Sequence, residues 1–240
     1  MSGSALQGRT VVVIGGSSGI GFGVAQAAMG QGARVVVASS QAGRVEAAVG
    51  QLGANASGSA VDVQDEADLA RFFAGVGAFD HLVYTAGDWR AGAGPLKDMD
   101  LAAAAEAFKV RFWGALAAVK HALPHLTADG SVILTDGLYA HRPPKGGGGV
   151  PSAMLGAIEH LVRGLAVDLA PVRVNGVCPG LILTERNRLM APAAIAHFTS
   201  TLPLARGGEP EEVAQAYLYL MLGGYTTGQV LYVDGGRMLV

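Results

Sequence analysis

The chain has 240 residues, 50% of them hydrophobic and 15% charged, with a net charge of −2. That balance carries no basic patch for nucleic acid, no polybasic tract for a membrane surface and no apolar run of spanning length. One large α/β domain over residues 1–240 fits the size and apolar content better than two small ones.

Residues 10–24 read as strand, turn and helix in succession. Val11 to Ile14 is an unbroken β-branched run, the mark of a strand buried on both faces. Gly15 to Gly21 is a loop of small residues, and from Ile20 through Val24, Ala25, Ala28 and Met29 the apolar spacing becomes helical. Strands are then predicted over Arg34–Ala38, Ser59–Val63, Phe79–Tyr84, Ser131–Thr135, Val172–Cys178 and Gln229–Val233. Helices are predicted over Gly43–Leu52, Glu66–Val76, Leu101–Leu126, Ser152–Leu169 and Glu211–Leu222. Such alternation implies right-handed crossovers and a single-domain, doubly wound parallel sheet of Rossmann-like α/β class, with helices on both faces. The least regular stretches, 88–99, 137–150 and 181–208, follow strand carboxyl ends, where pockets are built. Met190 and its neighbours read as a helical lid over the substrate.

A strand, a glycine-rich turn and a helix make an anion site, because the helix N-terminus offers unpaired N–H groups and glycines allow a pyrophosphate to approach. The residues expected there are Gly15, Ser17, Ser18, Gly19, Ile20 and Gly21. The strict G-x-G-x-x-G spacing is absent; the glycines fall as G-x-x-x-G-x-G. Gly15-Gly16-Ser17-Ser18-Gly19 also fits the G-x-S-x-G nucleophile elbow, but that elbow needs several strands before it, and only fourteen residues precede Gly15. The end of the second predicted strand reads Ala38-Ser39-Ser40-Gln41-Ala42-Gly43-Arg44, with no acid before Glu46. A carboxylate there would repel a ribose 2′-phosphate, whereas Ser39, Ser40 and Arg44 would accept one, so NADP(H) is the expected cofactor.

With this loop in place, the chain resembles the short-chain dehydrogenase/reductase family, whose cofactor loop reads Thr-Gly-x-x-x-Gly-x-Gly; Ile14 stands at the Thr. The resemblance runs the whole length. It implies an adenine contact at Asp62-Val63 and a strand end at Tyr84-Thr85-Ala86-Gly87, where Ala86 and Gly87 match the usual Asn-Asn-Ala-Gly. It implies a nicotinamide wall at Arg173–Gly180, with Pro179 and Gly180, a carboxamide contact at Thr184, and a last strand through Thr227-Gly228-Gln229 and Val233–Gly236.

The family's chemistry uses Asn, Ser, Tyr and a Lys four residues after the Tyr, and all four positions differ here. Arg111 stands at the Asn, Gly137 at the Ser, Pro151 at the Tyr and Leu155 at the Lys, and no Tyr-x-x-x-Lys occurs elsewhere in the chain. Proline has no acidic proton and leucine cannot hold a ribose hydroxyl, so ordinary carbonyl chemistry lacks its proton carrier. The polar candidates near the pocket are Asp136, Arg111 and Tyr139, then His141, Lys145 and Ser152. Asp136 and Arg111 are expected to pair as ions, with a filler role weighed equally against a functional one. His81, His121, His125, His160 and His197 show no ligand spacing with Cys or acids, so no metal is expected.

This departure is similar to a fungal-type branch of the family. Some of its members, in indole-alkaloid biosynthesis, use NADP(H) without the four residues, reduce an iminium and guide a cycloaddition. The resemblance rests on Arg111, Asp136 and the Pro151 helix. It implies an atypical NADP(H)-dependent oxidoreductase acting on a small molecule, with an imine or iminium preferred to a ketone. The alternative is a non-catalytic or non-redox homologue: a nucleotide-binding scaffold, a cyclase-like enzyme or a partner subunit.

The apolar helices over Leu101–Leu126 and Ala153–Leu169 point to a homodimer or homotetramer. The single Cys178 forms no internal disulfide, and the opening residues have no apolar signal core, so a cytoplasmic location is expected.

Overall fold

The computed structural model describes residues 4–87 and 93–240. Within them lies a seven-stranded sheet, all parallel, in the order β3-β2-β1-β4-β5-β6-β7. The strands are β1 (Thr10–Ile14), β2 (Arg34–Ser39), β3 (Ala56–Ala60), β4 (Phe79–Tyr84), β5 (Leu126–Thr135), β6 (Arg173–Pro179) and β7 (Val230–Val233). The main helices are α1 (Gly19–Gly30), α2 (Ala42–Leu52), α3 (Glu66–Val76), α4 (Leu101–Phe108), α5 (Gly114–Ala122) and α6 (Gly149–Asp168). After β6 come two short helices, α7 (Glu185–Arg188) and α8 (Pro192–Thr199), and then α9 (Pro210–Leu222). No helix among the described residues is long and apolar enough to cross a membrane.

The central strands carry unbroken apolar runs, Val11–Ile14, Leu82–Tyr84 and Val132–Leu134, because both faces are covered. Successive side chains alternate between two cores. Val12, Ile14, Leu82, Tyr84, Val132 and Leu134 meet α3, α5 and α6 through Phe73, Val119 and Val162. Val11, Val13, Val35, Val37, Val83 and Ile133 meet α1 and α9 through Val24, Ala28, Val213 and Tyr217. Each such aliphatic side chain, fully buried, contributes about 1.5–3 kcal/mol of apolar burial. At the amino ends of the strands, Arg9 bridges Asp80 (2.6 Å) and Asp129 (2.8 Å), tying β1, β4 and β5 away from the cavity.

Three predicted elements differ; one of them, the fifth strand, starts at Leu126 and not at Ser131. The third strand is Ala56–Ala60 and not Ser59–Val63. The alternation at Ser59–Val63 mimics a strand, but β3 is an edge strand whose polar run Ala56–Ala60 pairs with Val35–Ser39, and Val61 to Val63 lead on toward the cavity. The long helix Leu101–Leu126 is broken. A π turn over Lys109–Trp113 separates α4 from α5, and a 3-10 turn, Leu123–His125, with Pro124 inside it, ends the run before β5. The buried Tyr84 hydroxyl donates to the Val110 carbonyl within the π turn, which satisfies the buried hydroxyl and ties the turn to the end of β4.

The strand order reverses between β1 and β4, which opens a crevice at their carboxyl ends. Three residues meet there. Gly15 sits at φ +85°, and a Cβ on it would lie 2.6 Å from Thr85 Oγ1; one on Gly21 would strike Thr85 Oγ1 and the Gly15 carbonyl. Thr85 Oγ1 itself donates to Ile14 O at 3.1 Å. Gly21→Ala should therefore lower stability by about 1–3 kcal/mol, read as an earlier urea midpoint with unchanged slope. A midpoint equal to the parent's would show that the loop has room to spare.

Candidate functional site

A cavity of about 510 Å³ opens at the carboxyl ends of β1, β2, β4, β5 and β6. The residues expected from the sequence to hold a cofactor gather around it. Gly15, Ser17, Ser18, Ile20 and Gly21 line it from the first loop, and Ser39, Ser40 and Arg44 from the end of β2. Asp62 and Val63 line it beyond β3, Ala86 and Gly87 beyond β4, and Pro179, Gly180 and Thr184 beyond β6. Gly19 does not line it. It opens α1, and its Cβ position faces Thr184 Cγ2 at 3.1 Å.

Local structure explains this placement. Ser18 is the N-cap of α1 yet makes no side-chain cap hydrogen bond. The first-turn amides of α1, which have no partner within the helix, lie at this loop. A helix N-terminus with such amides is an anion cradle. Asp62 is turned partly on its own loop, accepting from Gln64 N at 2.9 Å. Thr184 caps α7 by accepting from Asn187 N at 3.3 Å. Met190, in the short link between α7 and α8, and Phe198 on α8 line the cavity, so the predicted lid is two short helices and their junction. Of the loop 88–99, residues 88–92 lie outside the described residues.

At the other end of the cavity stand Arg111, Asp136 and Tyr139. Arg111 rides the π turn and is 6% exposed. The expected ion pair with Asp136 does not form. The guanidinium donates to Thr135 O (3.2 Å) and Gly87 O (3.4 Å), holding the ends of β4 and β5 together. Gly87 allows this approach, because a Cβ there would lie 2.9 Å from Arg111 Nε. Asp136 is 2% exposed, and neither carboxyl oxygen has a hydrogen-bond partner among the described residues. Burial pushes its pKa up to about 7; the Gly137 amide opposes the rise, the nearby Glu159 adds to it, and Arg111 opposes it weakly. The carboxylate is therefore not held ionised by Arg111, as the sequence reading required. Tyr139 lies on the 3-10 turn Leu138–Ala140, and burial raises its pKa as well.

Gly137, Pro151 and Leu155 are the residues that the sequence resemblance sets at the family's Ser, Tyr and Lys. Gly137 and Leu155 line the cavity, and a Cβ on Gly137 would approach Leu155 Cδ1 at 3.1 Å. Pro151 and Leu155 lie buried on α6. Lys145, Ser152 and His141 are not among the cavity-lining residues.

His141 belongs instead to a cluster behind the cavity that spacing did not reveal. Its Nε2 lies 2.7 Å from Glu159 Oε2 and 2.9 Å from the Tyr232 hydroxyl. Arg163, one turn along α6, donates to Glu159 Oε1. Asp136, His141 and Glu159 come from a strand end, a turn and a helix, so nothing in their sequence separation marks them as neighbours.

The whole chain has recognisable relatives. A protein-family profile described as enoyl-(acyl carrier protein) reductase matches residues 14–237. A short-chain dehydrogenase/reductase of Stachybotrys chlorohalonatus is 36% identical, with 98% of each chain covered. A crystal structure of a small-chain dehydrogenase in complex with NADPH superposes with TM-score 0.83 at 37% identity, covering 97% of this chain and 99% of that one. The structure of the MalC reductase/Diels-Alderase from Malbranchea aurantiaca superposes with TM-score 0.91 at 31% identity, covering 100% of both chains. With the parallel sheet, the glycine loop and matches of this length, the chain belongs to the short-chain dehydrogenase/reductase family.

Proposed function

We propose that the chain is an NADP(H)-dependent oxidoreductase acting on a small organic molecule without the family's Ser, Tyr and Lys, and that an imine or iminium suits it better than a ketone. The observation that carries the reading is the lining at the reacting end: Gly137 and Leu155 line the cavity, Pro151 is buried one turn before Leu155 on α6, and none of the three can move a proton.

Support for the cofactor comes from the cradle itself. The Gly15–Gly21 turn leaves room where a Cβ would collide, and the N-terminus of α1 directs amides at the opening. The 37% identical relative was solved with NADPH. Ser39, Ser40 and Arg44, with no acid beside them, would hold the 2′-phosphate. When bound, the cofactor supplies a hydride to an electrophilic carbon. The residues of the chain do the rest. Arg111 fixes the ends of β4 and β5, and Asp136 places a carboxyl group in the wall, shielded from water. In that low-dielectric setting a cation bound beside Asp136 favours the ionised carboxylate, which stabilises the cation in return. An iminium needs that charge and no proton. A ketone develops an oxyanion that Asp136 opposes, and it needs an acid, for which Tyr139 is the hydroxyl at hand.

The exposed apolar side chains Leu101 and Trp113 on the α4–α5 run and Val167 on α6 favour burial against a second copy.

Three outcomes are expected. Arg44→Ala weakens NADPH about tenfold while leaving NADH nearly unchanged, measured by nucleotide fluorescence; equal weakening, or tighter NADH binding by the parent, contradicts the NADP(H) preference. Asp136→Asn lowers turnover of a permanently charged iminium roughly tenfold or more with little change in NADPH affinity. Brisk ketone reduction indifferent to Asp136→Asn would pass the acid's role to Tyr139, and NADPH binding with no turnover of either substrate class would favour the scaffold reading. Sedimentation at micromolar concentration should show a dimer or tetramer; a monomer rejects the shared-helix interface.

A further inference from the structure

The cluster behind the cavity holds more negative charge than its partners answer. Asp136 is 2% and Glu159 5% exposed. Arg163 takes Glu159 Oε1, and His141 Nε2 takes Oε2. No side chain hydrogen-bonds the two sealed oxygens of Asp136 among the described residues, and only the neighbouring Gly137 amide and, more weakly, Arg111 favour its charged form. A buried carboxylate in that state is destabilising by several kcal/mol unless a positive charge or a proton reaches it.

The missing charge has a place to sit. One ligand atom each from Asp136, His141 and Glu159 lie within 4.8 Å of one another. A single ion among three such atoms could reach bonding distance of all of them with side-chain shifts below about 1 Å. The donor set, one imidazole nitrogen and two carboxylate oxygens, is that of borderline divalent metals such as Zn²⁺. The surroundings hold the donors in place. Arg163 fixes the second oxygen of Glu159, and the Tyr232 hydroxyl meets His141 Nε2, positioning the ring while the site is empty and lying close enough to become a fourth neighbour. His141 is also the way in, since its side chain is 28% exposed while the two acids are sealed.

We infer that Asp136, His141 and Glu159 form a binding site for one first-row divalent cation, of which Zn²⁺ is the best-fitting case, set behind the reacting end of the cavity and reached from the surface past His141. Occupation would neutralise the Asp136 carboxylate from behind. A consequence resting on the proposed function is that Zn²⁺ weakens binding of a cationic substrate. The binding measurement itself does not depend on that function.

The test uses the full chain, stripped with a chelator and dialysed against Zn²⁺, with metal content measured directly and Co²⁺ as a visible-absorbing substitute. One equivalent of Zn²⁺ is expected, with a rise in unfolding temperature and a Co²⁺ spectrum of low-symmetry nitrogen and oxygen coordination. His141→Gln, Glu159→Gln and Asp136→Asn should each weaken uptake about tenfold or more and abolish the Co²⁺ spectrum. Far-UV circular dichroism checks that each variant folds. Asp136→Asn carries the test if the others do not fold, because it keeps the shape and removes a lone buried charge. Sub-stoichiometric uptake by the parent, or uptake unchanged by Asp136→Asn, overturns the site and leaves a protonated Asp136 as the resolution of the cluster. If Zn²⁺ binds stoichiometrically but leaves substrate affinity unaltered, the site stands and the iminium reading falls.

Discussion

Everything at the working end of this molecule depends on how closely backbone can approach backbone where β1 ends. Gly15, Gly21 and Thr85 occupy a space in which one added methyl group collides. That contact brings the start of α1 against the end of β4, which places the amides of Ser17 and Ser18 on the same opening as Arg111 and Asp136. The sheet supplies the rigidity for it. Val11 to Ile14 are buried on both faces, so the loop departs from a strand that cannot slide. A methyl group at Gly21 would be felt at both ends of the cavity, because one turn positions both.

Much of this architecture was legible in the sequence. Unbroken β-branched runs such as Val11–Ile14 and helical spacing such as that of Glu66–Val76 report burial directly, and those elements stand where the pattern places them. What failed to show has a common cause. The pattern at Ser59–Val63 alternates well, yet the strand lies earlier, because at a sheet edge pairing with β2 sets the boundary and side-chain polarity does not. The π turn at Lys109–Trp113 is likewise not written in those residues. It pairs with Tyr84, far away in the chain, whose hydroxyl takes the Val110 carbonyl.

The same distinction holds in the site. Residues that act through backbone position, such as Gly15 or Pro179, can be read from motif order alone. Residues that act through side-chain direction cannot. Opposite charges at Arg111 and Asp136 suggest a pair, but Arg111 turns to the Thr135 and Gly87 carbonyl groups, and Asp136 is left with burial as its dominant influence. His141 and Glu159 are separated by a turn and half of α6, and only the folded chain brings them to 2.7 Å. Buried polar groups are costly enough that each needs a partner, and the partner is found by geometry, not by spacing.

The fit of Leu155 against Gly137 bears on what those positions could accommodate. A Cβ at 137 would come within 3.1 Å of Leu155 Cδ1, so a serine there meets a leucine that already fills the gap. A lysine at 155 alone would bury an ammonium where leucine is now 1% exposed. A tyrosine at 151 would have to replace a proline that is itself buried in the first turn of α6. Each such change taken singly is disfavoured by the residues around it, so the three positions are coupled: what one can become depends on what stands at the others.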